Sequence, residues 1–134
     1  MLEDAIYTML NGDATLTTFV NDRIYAGKAP QGAALPLLVF RRVSADRQPH
    51  QAGVGNFVEA FMEFNCWATT NREAAQIAER VRKICDGFRG QVNGVTMDKV
   101  YISNETHDVL QPTDASDVSD HWVALEFGFW HRET

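Results

Sequence analysis

Phe57-Val58-Glu59-Ala60-Phe61-Met62-Glu63-Phe64-Asn65-Cys66-Trp67-Ala68 separates into two sets when every second residue is grouped, as side chains on an extended strand are. Val58, Ala60, Met62, Phe64, Cys66 and Ala68 make one wholly apolar face, which predicts a strand packed on a core beneath a helix. Residues 122–131 repeat the pattern, with Val123, Leu125, Phe127 and Phe129 as the matching face. The opposite faces are unusual. They carry Phe57, Glu59, Phe61, Glu63, Asn65 and Trp67 on the first strand, and Trp122, Glu126 and Trp130 on the second. These aromatics are too many for a solvated surface, and the glutamates too many for a dry core. Aromatic rings mixed with charge are the composition of a surface that a partner covers. Cover within the monomer, by the N-terminal helices or by the loop over residues 26–36, is the weaker alternative.

Working outward, Leu2, Ile6, Met9 and Leu10 fall at helical spacing and Asn11-Gly12 is a stop signal. Asp13 is placed to cap a second short helix that turns Leu16, Phe19 and Val20 inward. Residues 22–25 read as a short extended piece, and residues 26–36, rich in glycine and proline, as loop. A strand is expected over residues 37–44. Residues 45–56, with Pro49, Gly53 and Gly55, are expected to form a long hairpin tip. Thr70-Asn71-Arg72-Glu73 is a capping box. The helix after it stripes Ala74, Ile77, Ala78, Val81, Ile84 and Cys85 on one side and ends near Gly87. Residues 95–105 and 122–131 complete the strands, joined by an acidic loop over 106–120. The order is α-α-β-β-α-β-β, with a possible minor strand at residues 23–25. This predicts an α+β fold: a mostly antiparallel sheet of about four to five strands, one long helix against it, two short N-terminal helices and long exposed loops.

The 134 residues are expected to form a single domain, 1–134. An apolar fraction of 45% and a charged fraction of 22% are those of an ordinary globular protein. The net charge of −6 argues against wrapping nucleic acid, which needs Lys and Arg to displace counterions. It remains compatible with a wall that DNA slides past without sticking. Two cysteines, Cys66 and Cys85, are too few for a disulfide framework and point to a reducing interior. No basic segment followed by an apolar stretch opens the chain, so no secretory signal is expected. The longest apolar run, residues 33–40, has eight residues and a proline. That is far short of a bilayer span of about 20, and no membrane partner is expected.

Catalytic constellations are sought without success. Cys66 could be a nucleophile with His121 or His131 as base, but its position on the apolar face makes it a core residue, as the helix stripe does Cys85. Glu59 and Glu63 lie four strand residues apart, about 13 Å, beyond the roughly 5–9.5 Å that glycoside hydrolysis uses. Cross-strand pairing with Arg41 or Arg42 explains them better. Glu126 could approach either, depending on register. His107, Asp108, Asp114, Asp117, Asp120 and His121 crowd one loop but match no calcium-loop spacing. Asp86-Gly87-Phe88-Arg89-Gly90 follows a helix, where phosphate cradles precede one; it reads as a helix end with Phe88 folding back. No catalytic, cofactor or metal residue is assigned. The candidate interface residues are Phe57, Glu59, Phe61, Glu63, Trp67, Trp122, Glu126 and Trp130, with Arg41, Arg42 and His50.

Four segments in order, Asp22-Arg23-Ile24-Tyr25, Ala29-Pro30-Gln31-Gly32-Ala33-Ala34-Leu35-Pro36, Phe64-Asn65-Cys66-Trp67-Ala68 and Phe129-Trp130-His131-Arg132, resemble the tail-completion (tail terminator) proteins of long-tailed bacteriophages and of related prophage or gene-transfer particles. The resemblance runs from Leu2 to about Glu133. It implies a non-enzymatic structural protein without cofactors: a subunit of a six-membered homomeric ring at the head-proximal end of the tail tube. Such a ring stops tube polymerisation and mediates head–tail joining. The implied partners are other copies of the chain, the major tail tube protein and a head-side connector or stopper. DNA passes through without specific binding. The implied place is the tail of a virion or phage-like particle assembled in the bacterial cytoplasm. A head-completion or connector protein is the alternative within particles, and a small thiol- or metal-dependent enzyme the alternative outside them.

Overall fold

The central strand pair forms as the alternation requires. In a computed structural model that describes residues 2–30, 32–47, 57–110 and 120–133, three helices and six strands follow in order: α1 (Leu2–Asn11), α2 (Ala14–Val20), β1 (Ile24–Ala26), β2 (Leu37–Arg47), β3 (Phe57–Ala68), α3 (Asn71–Cys85), β4 (Gly90–Val92), β5 (Val95–Leu110) and β6 (Asp120–Glu133). The strands form one sheet in the order β1-β2-β3-β6-β5-β4. Strands β3 and β6 pair antiparallel without a register shift, from Phe57 opposite Arg132 to Ala68 opposite His121.

The α+β class stands, but the details differ from expectation. The sheet has six strands rather than four to five, and it is mixed, because β1 runs parallel to β2. Strand β4 was not expected: it is three residues long and turns into β5 through Asn93-Gly94, a hairpin dipeptide with both residues at positive φ. Strand β2 runs on to Arg47 and β5 to Leu110, while β6 starts at Asp120. Residues 106–110 and 120 are therefore ladder rather than loop. Backbone pairing continues there although the side chains from Ser103 to Asp108 are exposed; apolar alternation marks burial, not pairing. Residues 48–56 and 111–119, the remainders of the two expected loops, lie outside the described residues.

Three helices, not one, build the layer over the apolar face. Leu2, Ile6 and Leu10 of α1, Leu16 and Val20 of α2, and Ala74, Ile77, Val81 and Cys85 of α3 join a single core with Leu38, Phe40, Met62, Phe64, Cys66, Leu125, Phe127 and Phe129. Phe64 sits at its centre, with ring centroids 5.9 Å from Phe40, 5.5 Å edge-on from Phe127 and 6.3 Å from Phe129. Helix α3 begins as its capping box requires: Thr70 Oγ1 accepts from the Glu73 N–H at 3.1 Å. It ends at Asp86, with Gly87 at φ +79°, and Phe88 packs back on the core.

Asp13 does more than cap α2. Its carboxylate accepts from the Leu16 N–H at 2.8 Å and from the Arg80 guanidinium at 2.9 and 2.7 Å, tying α2 to α3. The Arg80 hydrogen bond, opposed by burial and helped by the Leu16 N–H, holds the Asp13 carboxyl below its ordinary value of 3.8. A carboxyl depressed in the folded state stabilises it fully above the unfolded pKa, and that stabilisation is lost as pH falls through the folded one. Asp13→Ala is expected to lower stability by about 1–2 kcal/mol at neutral pH, and to flatten the fall in stability below about pH 4. Denaturant titrations at neutral and acid pH measure both.

Candidate functional site

With α1, α2 and α3 all feeding one core, none of the described helices covers the other face of the sheet. Register turns that face into rows running across β2, β3, β6 and β5. Leu37, Trp67, Trp122 and Asp108 form the first, then Val39, Asn65, Ala124 and Thr106, and then Arg41, Glu63, Glu126 and Asn104. Ser44, Phe61, Gly128 and Tyr101 follow, and last Asp46, Glu59, Trp130 and Lys99. Glu59, Phe61, Glu63, Trp67, Trp122, Glu126 and Trp130 are all partly exposed. One face thus gathers the predicted residues of β3 and β6. The Phe57 side chain and His50 lie outside the described residues.

At one end the Trp67 and Trp122 rings stack, with centroids 5.5 Å apart and planes 10° from parallel. Such a pair contributes about 0.5–1.5 kcal/mol beyond its buried area. Trp122 Nε1 donates to Asn65 Oδ1 at 2.6 Å, and Asn65 Nδ2 to Glu63 Oε1 at 3.0 Å. The Arg41 guanidinium also meets Glu63 Oε1 at 3.2 Å; with Arg41 half exposed this pair is worth about 0–1 kcal/mol. Part of the 26–36 loop (Gly27, Lys28, Ala29 and Leu35) stands at this end. With Leu37, Val39 and the two indoles it frames an open groove of about 490 Å³. Among the described residues, internal cover of this face comes from that loop, at this edge.

At the other end Tyr101 lies across Gly128. A Cβ there would stand 2.4 Å from the Tyr101 ring, so only glycine admits the crossing. The phenol reaches over β6 and donates to Glu59 Oε2 at 2.7 Å. That hydrogen bond, then burial and the charges of Glu59 and Glu126, hold the phenol above its ordinary range, so it stays a neutral donor. Lys99 sits 5.7 Å over the same ring. Tyr101 and Lys99 were missed from sequence because a bulge at Asp98 breaks the alternation of β5; Gly128 beneath an aromatic partner was the available signal.

Arg42 is a correction. It pairs in register with Met62, a core-face residue, and its guanidinium meets Glu3 of α1 at 3.0 Å on the helix side. Ordinary alternation along β2 puts it on the face opposite Arg41, since the two pair in regular register with Met62 and Glu63. Between the two aromatic ends Glu63 and Glu126 stand directly opposite each other. Glu63 is tied to Arg41 and Asn65, whereas Glu126 makes no ion pair with any described residue. Like charges in this position are mildly destabilising.

The thiols have no such freedom. Cys66 and Cys85 are fully buried; burial pushes the Cys66 thiol far up and that of Cys85 to about 12. His131, buried at 1% exposure, lies opposite Val58, eight residues along β6 from the partner of Cys66, or about 26 Å. His107 pairs with Glu105 at 2.9 Å on an exposed stretch. Among the described residues no group of three or more His, Cys, Asp or Glu converges on a metal-sized site; Asp114 and Asp117 lie outside them. What the open face can do chemically is bind: flat rings, two aromatic ends and an acidic middle row.

The chain is similar to a protein of the virion of a native gene transfer agent particle, with a TM-score of 0.70 at 15% identity over 98% of this chain and 94% of the other, a likeness of fold. No curated protein sequence matches it. The family described as tail completion protein gp17 matches residues 4–125, nearly the whole length. The chain therefore belongs to the tail completion protein gp17 family, and with it to the structural proteins of phage tails.

Proposed function

We propose that residues 1–134 act as one tail terminator unit, which joins copies of itself in a six-membered ring at the head-proximal end of a tail tube. The ring ends tube polymerisation against the major tail tube protein and offers its other rim to a head-side connector. The particle is a phage or a gene-transfer particle, assembled in a bacterial cytoplasm. No catalytic step is involved. One observation carries this reading: the open sheet face, where Trp67, Trp122, Phe61 and Trp130 flank Glu63 and Glu126 and none of the described helices covers them. A sheet face of that composition is completed by another layer, and copies joined by one repeated head-to-tail contact close into a ring. The net charge of −6 suits a channel that DNA crosses by repulsion rather than contact.

Trp67→Ala, Trp122→Ala and Trp130→Ala are expected to weaken ring formation by about 2 kcal/mol or more each, as central indoles at interfaces do. The folded monomer should lose less than that. Sedimentation and electron microscopy of particles read the first effect, and thermal melts of the monomer the second; collapse of helical content without a specific assembly defect would sink the proposal. Cys66→Ala, chosen because a serine hydroxyl would be buried unpaired, should leave assembly unchanged. A loss of function with an intact fold would instead favour thiol chemistry.

A further inference from the structure

The surface that meets the open face can be named from charge and shape. We propose that the α2–α3 side of one copy covers the open sheet face of the next, with Arg72 and Lys83 bracketing Glu126 along the strand direction. This rests on the self-assembly reading above and adds which two surfaces touch.

The α2–α3 side carries an open, mostly apolar groove of about 510 Å³, floored by Phe19 and Ala75 and flanked by Arg72, Gln76 and Lys83. Its cations divide into two kinds. Arg80 is held by Asp13 and Arg82 by Glu79 within the chain. Arg72 and Lys83 make no ion pair with any described residue, though the Lys83 charge also acts on Glu79, which lines the groove and is itself held by Arg82. The open face shows the converse. Glu59 is taken by Tyr101 and Glu63 by Arg41, which leaves Glu126 unpaired. Two unmatched cations beside an apolar floor and an unmatched anion between aromatic ends are complementary.

Dimensions agree. Helix α3 has 15 residues, about 22 Å of axis, with Arg72 and Lys83 about 16 Å apart. Trp122 and Trp130 are about 26 Å apart along β6, with Glu126 midway. A helix laid along the strands therefore fits between the two aromatic ends.

Topology decides the symmetry. The helices and the open face lie on opposite sides of one sheet. A front-to-back contact uses two different patches, leaves both free ends competent, and closes into a ring or grows as a filament. A face-to-face pairing would instead set the acidic middle row of one copy against that of the other, and like-charge juxtaposition opposes it.

Charge reversal tests this with full-length protein. One variant, Glu126→Lys, carries cations on both patches; a second, Arg72→Glu with Lys83→Glu, carries anions on both. Circular dichroism should show both folded. Each alone should assemble at least about tenfold less well than the unaltered chain, and their equimolar mixture should assemble again, because the copies can alternate around a ring. If either variant assembles alone like the unaltered protein, or the mixture fails while both are folded, this pairing is wrong although self-assembly still stands. If the unaltered chain neither self-associates nor enters particles, the self-assembly reading itself falls.

Discussion

The pairing of β3 with β6 is the constraint on which everything else here depends. Twelve residue pairs run from Phe57–Arg132 to Ala68–His121 without a shift. Side chains alternate with period two, so slipping this ladder by one residue would turn Phe127 and Phe129 away from the helices and bring Glu126 into the core. The Phe64 cluster holds the register by shape, with the Phe127 ring standing at 90° against it. Burying such rings is worth about 1.5–3 kcal/mol apiece, more than the whole set of surface ion pairs on the open face can contribute.

Irregularity is confined to the flanks. The β2 ladder shifts between Arg42 and Ser44, and the β5 ladder at Asp98 and again at Ser103. Bulges bend and twist the strand that holds them, so the outer strands can deform while the central pair stays regular. They also reassign side chains. Through the one at Asp98, Lys99 and Tyr101 come to stand beside Trp130 and Gly128.

That pattern explains what could be read from residues alone. The faces of β3 and β6 were legible because both strands are long, bulge-free and buried on one side. Every residue of the predicted core faces is buried. The capping box at Thr70 and the cap at Asp13 were legible because they are local chemistry. What escaped was non-local. Strand β1, legible only as a possible minor strand, takes its place from parallel pairing with residues 38–40 of β2, and β4 is too short to show a pattern of its own. The ribbon beyond Glu105 is stabilised by its ladder, not by apolar burial. Glu126 came to lie opposite Glu63 only once register was known, and the reach of Tyr101 to Glu59 depends on an absent Cβ on the strand between them.

The division of labour along β3 has a consequence for how its mutants should be interpreted. From residue 58 to 68 the even positions are buried in the core and the odd ones look outward. A truncation at Phe64 removes packing and leaves a cavity, costing about 3–5 kcal/mol of stability, so loss of assembly in that variant says nothing about contacts. A truncation at Trp67 removes one ring of an open stack and leaves the core whole. The monomer should tolerate it, and any assembly defect is then attributable to the surface. Folding and assembly are thus written on alternate residues of one strand, and the parity of a position states which of the two a substitution will disturb.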